Sequence, residues 1–455
     1  MTTYLPRGRE DFYFLIDHGW QTKELSERTL PGAIEFFSLV IDARDFPPYA
    51  GHEPREALRL LNEEVKSHGW RGLGIWVKGN LEKATCRKFV EWSQYAGIEY
   101  WKIDKGDSVD FYCQQIKEEI YPRLTLEYAN GVKAPLNLGF DDPNRSSYPS
   151  VYVRDGIKFP RAFQILRNAD VFRTYDSAPL LVSTTTMRRV HDILIQTQNQ
   201  EKYVTILNVQ DDPQVAAGLG SLVGAMRHPN YMERTYLGED FHYQISGKRM
   251  NQRRMNEIER FGRWQRIAPA FAAGIGTYRA SEEELLDNYR HTVRDTHRDT
   301  AHGKMVYQSA PAIMSRNMPL PKVEIDGDPP YVMASKYPNG PVGVATEGRV
   351  KPGDQWYHPR ANISIEVNDM EQFIGIFGHY LSLTLSLKES TRGIVHIWAQ
   401  DLLAEEAVDV RHLVKIGENS ITIPGALIDR IGTSAGDKGD ISVPGMVIKI
   451  QNSSD

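Results

Sequence analysis

Residues 98–104 read Ile-Glu-Tyr-Trp-Lys-Ile-Asp, an apolar, aromatic run with the composition of a strand. Side chains alternate along a strand, so Lys102 and Asp104 point the same way. An ammonium beside a carboxylate keeps it ionised. An ionised carboxylate under a sugar's anomeric carbon is the nucleophile of a retaining glycosidase, which also needs a second carboxyl as proton donor about 5 Å away. Asp176, in Val-Phe-Arg-Thr-Tyr-Asp-Ser, is the expected donor, with Phe172 and Tyr175 as apolar surroundings that raise its pKa. Taken alone, the Lys102–Asp104 pair also reads as a rim salt bridge, and Asp176 also reads as a helix cap. Glu127, in Leu-Glu-Tyr-Ala-Asn-Gly, is placed to hold a sugar hydroxyl. Asp211 and Asp212 precede Pro213, where acids serve either a site or a turn.

Other signals carry less. Gly218, Gly220 and Gly224 do not have nucleotide-fingerprint spacing. His291, His297 and His302 lie in a polar stretch without metal-ligand spacing and read as solvated. Cys86 and Cys113 form no C-x-x-C pair and fall on apolar stripes of predicted helices, so buried, inert thiols are expected. No metal and no cofactor is expected.

The elements that must position these acids alternate. Strand-like runs at 12–17, 71–77, 98–104, 123–131, 169–177 and 202–212 are separated by helix-like runs at 54–69, 81–97, 107–120 and near 179–198. In 54–69, Leu58, Leu61 and Val65 share a face, Pro54 suits the first turn and Gly69 the stop. Repeated β-α units predict a parallel sheet flanked by helices. Asp17, Asp104, Asp176 and Asp211 each end a strand-like run, and Glu127 ends a fifth. A (β/α)8 TIM-type barrel gathers strand C-termini on its working face. Residues 250–274 read as a helix followed by the last barrel strand. After about residue 315, short β runs split by Gly, Pro, Asn and Asp predict a C-terminal antiparallel β-sandwich. The expected domains are therefore a catalytic barrel over 1–315 and a sandwich over 320–455. Leu381, Leu383, Leu385 and Leu387 alternate as one buried face.

In this order and spacing the motifs resemble glycoside hydrolase family 27, the α-galactosidase-like enzymes of clan D. Tyr-Trp-Lys-Ile-Asp (100–104) resembles the clan's Y-x-K-x-D nucleophile strand. Leu-Ile-Asp-His-Gly-Trp-Gln (15–21) resembles I-D-D-G-W-Q, and the run ending Leu-Gly-Ile-Trp-Val (73–77) resembles the family's L-G-I-Y strand. Phe-Arg-Thr-Tyr-Asp-Ser (172–177) is similar to the acid/base segment. Asn-Val-Gln-Asp-Asp-Pro (208–213) is similar to W-N-D-P-D-M, and Arg-Trp-Gln-Arg-Ile-Ala-Pro-Ala-Phe-Ala-Ala-Gly (263–274) to the helix running into A-P-L-L-x-G.

The resemblance implies a retaining, exo-acting glycosidase with Asp104 as nucleophile and Asp176 as acid/base. It implies sugar contacts from Asp17, His18, Trp20, Trp76, Lys102, Glu127, Arg173 and Asp212. His18 replaces the second acid of the family's D-D pair, which reads an axial hydroxyl, so a sugar other than galactose is expected. Arg173 stands three residues before Asp176, where the family has four. The family also has a strand and helix before the I-D-D-G-W strand, so the run at 12–17 corresponds to a second barrel strand with the first missing.

Two other classes compete. One is a carbohydrate-binding pseudoenzyme on the same barrel. The other is a metal-dependent sugar isomerase or lyase using Glu127, Asp211 and Asp212 as oxygen ligands. A net charge of −5 leaves no basic footprint for nucleic acid. No apolar run is long enough to span a membrane. As written, the N-terminus has no apolar signal segment, so a cytoplasmic protein is expected, or a secreted or periplasmic one if the true start lies upstream. The expected partner is a carbohydrate substrate, and the architecture allows a homo-oligomer.

Overall fold

A computed structural model describes residues 1, 4–22, 24–25, 34–35, 38–79, 81–104, 111–129, 160–174, 183–225, 235–236, 245–290, 305–351, 355–367 and 372–453. The chain divides into two compact units. The first is Met1–Lys133 with Pro160–Asp176, and the second is Ala134–Phe159 with Ser177–Asp455.

In the first unit, β1 (Tyr13–Ile16), β2 (Gly72–Lys78), β3 (Tyr100–Asp104), β4 (Thr125–Tyr128) and β5 (Val171–Arg173) lie side by side in chain order, each parallel to the next. Between them run α1 (Pro54–Ser67), α2 (Lys83–Ala96), α3 (Tyr112–Ile120) and α4 (Pro160–Asn168). α1 starts on Pro54 and buries Ala57, Leu58, Leu61 and Val65; their i, i+3, i+4 spacing makes one apolar stripe. α2 stops at Gly97, whose φ of 67° is the left-handed conformation that glycine adopts without strain. Buried Asn62 ties three elements together. Its Nδ2 donates to the carbonyls of Ala96 and Gly97, both at 2.8 Å, and its Oδ1 accepts from the Leu73 amide at 2.8 Å.

Register separates the two faces of this sheet. Leu73, Ile75, Val77, Trp101, Ile103 and Leu126 form a buried apolar face. Trp101 Nε1 donates to Ser93 Oγ of α2 at 2.9 Å, which places α2 on that side. The other face carries Trp76, Lys102 and Glu127 on neighbouring strands in one register row.

The thiols expected at Cys86 and Cys113 are instead a disulfide joining α2 to α3, with Cα atoms 5.7 Å apart. Both residues are buried, as expected. Their pairing depends on how two helices meet, which the spacing of 27 residues does not encode. Closing a loop of that length stabilises the fold by about 3.5 kcal/mol on chain-entropy grounds. The double variant Cys86→Ala, Cys113→Ala should lose about 3 kcal/mol of unfolding free energy in urea melts. An unchanged midpoint, together with an unchanged midpoint of the parent in dithiothreitol, would contradict the pairing.

The second unit contains α5 (Ser183–Thr197), the short strand β6 (Ile206–Asn208), α6 (Pro213–Leu219), α7 (Gly247–Ile267) and a β-rich region. The strand expected after α7 does not form between residues 268 and 277. The chain next becomes extended at Tyr278–Ala280, which pairs antiparallel with Ile313–Arg316.

Two sheets follow. One orders Tyr278–Ala280, Ile313–Arg316, Tyr331–Lys336, Val342–Glu347, Ile374–Phe377, Gly445–Asn452, Ile394–Asp401 and Val408–Asp409. The other orders Lys322–Glu324, Asn362–Val367, Ser382–Leu387, Ser420–Pro424 and Lys415–Ile416. One shared core joins Val344, Ile376 and Ile448 of the first to Ile365, Leu385 and Ile421 of the second. The sheets are mixed rather than wholly antiparallel. Ile313–Arg316 with Tyr331–Lys336, Val342–Glu347 with Ile374–Phe377, and Asn362–Val367 with Ser382–Leu387 run parallel. Leu383, Leu385 and Leu387 are buried as the alternation predicts, but Leu381, just before its strand, is half-exposed. Close approach fixes α6 on the first sheet: a Cβ on Gly218 would stand 2.5 Å from Met333 Cβ.

Candidate functional site

The C-terminal ends of β1, β2 and β3 bring Asp17, His18, Trp76, Lys102 and Asp104 together. Lys102, its side chain only 2% exposed, donates to Asp17 Oδ1 at 3.0 Å and Oδ2 at 3.1 Å, and stands 3.9 Å from Asp104 Oδ2. Trp76 Nε1 donates to Asp104 Oδ2 at 3.2 Å. Asp104 is therefore held by an indole N–H and a buried cation while keeping 16% of its side chain exposed. Burial pushes the Asp17 carboxyl up. The charge and hydrogen bonds of Lys102, the His18 amide and the charge of Arg173 outweigh it and hold that carboxyl below its usual range. One ammonium thus serves two carboxylates.

Gly19, at φ +111°, turns the chain after β1 in a conformation side chains rarely adopt. The turn buries Trp20, whose Nε1 donates to the Trp76 carbonyl at 3.1 Å, and Gln21 Nε2 donates to the same oxygen at 3.2 Å. The exposed His18 ring packs edge-on to Trp76, with centroids 4.8 Å apart. Of the two tryptophans expected at a sugar, Trp76 contacts Asp104. Trp20 supports Trp76 from below.

Glu127 and Arg173 are brought together, and both are buried. Arg173 Nε donates to Glu127 Oε1 at 3.1 Å and Nη2 to Oε2 at 2.5 Å, a two-point ion pair. Burial and the neighbouring charge of Glu127 push the Tyr100 hydroxyl well above its ordinary range. Asp176 and Tyr175 lie outside the described residues, as do His291, His297 and His302.

In the second unit, Asp211 and Asp212 are buried. Asp212 accepts from Ser183 Oγ at 2.8 Å and Thr186 Oγ1 at 2.5 Å, both on α5. Among the described residues, no three or more His, Cys, Asp or Glu side chains form a group that could hold a metal ion. None of the described helices is long and apolar enough to cross a membrane.

Sequence reading passed over Glu347, the last residue of its strand. Burial, then the charge of Asp212, pushes its carboxyl up to about 7 against the opposing pull of Arg254 and the Gly348 N–H, and Glu257 adds to the rise. Its native form therefore keeps a proton that the unfolded chain releases near pH 4.5. Stability linked to it is complete below that pH and falls as pH rises through 7. Glu347→Gln should match the parent near pH 5 and exceed it at pH 8. The gain is on the order of 1–2 kcal/mol after discounting for partial solvent screening. Parallel pH profiles of the two proteins in urea melts would contradict the assignment.

No family model and no curated protein matches the chain. Among solved structures, it is similar to an uncharacterised protein from Parabacteroides distasonis, at 11% identity and a TM-score of 0.22 over 45% of this chain and 81% of that one. It is also similar to a noncanonic maltogenic alpha-amylase from Thermotoga neapolitana, at 8% identity and a TM-score of 0.30 over 82% of this chain and 81% of that one. Likenesses this distant carry no argument about activity. What stands on the chain's own geometry is a mixed α/β protein with a parallel sheet and a later β-rich region.

Proposed function

We propose that this chain is a retaining, exo-acting glycoside hydrolase of α-galactosidase-like type, in which Asp104 attacks the anomeric carbon. The observation that carries the reading is the setting of Asp104. It is a partly exposed carboxylate at a strand end, bonded by Trp76 Nε1 and flanked by buried Lys102. Lys102, 3.9 Å from the nucleophile, and Asp17 offer hydrogen-bonding groups to the sugar. Asp176 serves as acid/base, and the parallel sheet forms part of an eight-stranded barrel. The Glu127–Arg173 pair positions neighbouring groups from beneath, since both carboxylate oxygens bond the guanidinium. His18, exposed beside Asp17 and Trp76, selects a sugar other than galactose. The disulfide favours an oxidising compartment.

The test is turnover of a panel of activated aryl α- and β-glycosides, with the anomer of the first-formed product read by NMR. The reading expects one α-glycoside to be cleaved with retention. Inversion, or strict dependence on an added divalent cation, would overturn it. Tight binding of monosaccharides without turnover on the whole panel would favour a binding protein on the same scaffold.

A further inference from the structure

We propose that the second unit carries a carbohydrate-binding platform built on His396 and Trp398, separate from the Asp104 group, which takes the C–H face of a pyranose in a neutral glycan. Strand Ile394–Asp401 pairs with Gly445–Asn452 through a bulge between Ile394 and His396. The bulge adds one residue, Val395, and puts His396 and Trp398 on the same outward face, while Ile397 and Ala399 enter the core. Register sets Trp398 between Lys449 on one neighbouring strand and Asp409 on the other. Phe373 continues the row, with Lys449 Nζ 5.5 Å from its ring centroid.

The two central rings are stacked, with centroids 5.1 Å apart and planes at 29°. Each is also tied down. Trp398 Nε1 donates to Gln451 Oε1 at 3.1 Å, and His396 Nδ1 lies 2.7 Å from Asp409 Oδ2. Trp398 is partly buried, while the His396 side chain is 45% exposed and Phe373 37%. Rings held rigid before binding lose little entropy when a ligand stacks on them. The His396 hydrogen bond and then the Arg411 amide bring the Asp409 carboxyl down to about 2, so it is an anionic acceptor at neutral pH.

The composition selects the ligand. Protein–protein interface cores are depleted of charge, whereas here aromatic and charged residues alternate along one row. A pyranose matches this pattern: its axial C–H bonds meet a ring face, and its rim of hydroxyls meets Asp409, Lys449 and the Gln451 amide. One anion and one cation leave the row without net charge, which suits a neutral chain.

Affinity electrophoresis tests this in gels holding soluble starch, galactomannan, xyloglucan or mixed-linkage β-glucan. The protein is used as its Asp104→Asn variant, so that no turnover erodes the gel. Retardation is expected in at least one gel, weakened about tenfold by Trp398→Ala and less by Gln451→Ala. Melting curves establish that each variant is folded. If Trp398→Ala does not fold, Gln451→Ala and Lys449→Ala decide the matter. No retardation in any gel, or retardation that the variants leave unchanged, overturns the proposal. So does concentration-dependent self-association that Trp398→Ala abolishes, because the face would then serve a second copy of the chain. The readout is binding, so it stands or fails independently of whether Asp104 supports hydrolysis.

Discussion

Asp104→Asn should abolish hydrolysis of the best aryl glycoside, with kcat falling on the order of 10⁴-fold or more. The amide keeps an oxygen that can accept from Trp76 Nε1, so the local packing survives, but it cannot form a glycosyl ester. Unfolding free energy should therefore change little while turnover disappears. A second variant separates chemistry from structure. Asp104→Ala leaves a gap at the strand end, and azide entering it should attack the anomeric carbon of an activated substrate and release a glycosyl azide of inverted configuration. Rescue by azide identifies the missing group as a nucleophile, because a purely structural carboxylate would not be replaced by an external anion. Full activity in Asp104→Asn would sink the assignment.

Glu127→Ala should have the largest effect on stability, a loss of about 3–5 kcal/mol. The cost arises because Arg173, its side chain only 3% exposed, would lose the two-point bond to the Glu127 carboxylate. Removing one member of a buried pair is far more damaging than replacing both by apolar residues of similar volume. The double variant Glu127→Leu, Arg173→Leu should accordingly recover most of the loss, and Glu127→Gln should fall between. Urea melts of these variants, with the single variants Glu127→Leu and Arg173→Leu completing the cycle, give the coupling. A loss under about 1 kcal/mol in Glu127→Ala would show that the pair carries little stability.

Much of the first unit was legible in the chain. The stripe Leu58, Leu61, Val65 with Pro54 before it gave a helix at the expected place, and Gly97 ended the next one. Alternation put Lys102 and Asp104 on one face of their strand, and they lie there, 3.9 Å apart at the nearest oxygen. What stayed hidden depends on register and helix approach, which are properties of pairs distant in sequence. The sequence places Glu127 near a sugar hydroxyl, and its pairing with Arg173, 46 residues on, comes from strand register. The Gly19 turn, which the composition of the stretch does not reveal, buries Trp20 with its Nε1 on the Trp76 carbonyl. The run after α7 looked like a last barrel strand because its composition is apolar. Its residues form no strand, and the next extended segment joins an antiparallel partner. Glu347 gave no signal because its perturbation comes from burial and from Asp212, 135 residues earlier in the chain.

In the proposed reaction Asp104 forms a covalent bond to the sugar's anomeric carbon as the aglycone leaves. Incubation with a 2-deoxy-2-fluoroglycosyl fluoride should trap that intermediate, since fluorine at C2 slows both its formation and its hydrolysis while the good leaving group restores the rate of formation alone. Peptide mass mapping should then find one fluoroglycosyl adduct, on the peptide containing Tyr-Trp-Lys-Ile-Asp at the Asp104 carboxylate. An adduct on any other residue, or full turnover of the aryl substrate with no adduct at any time, would exclude Asp104 as the nucleophile.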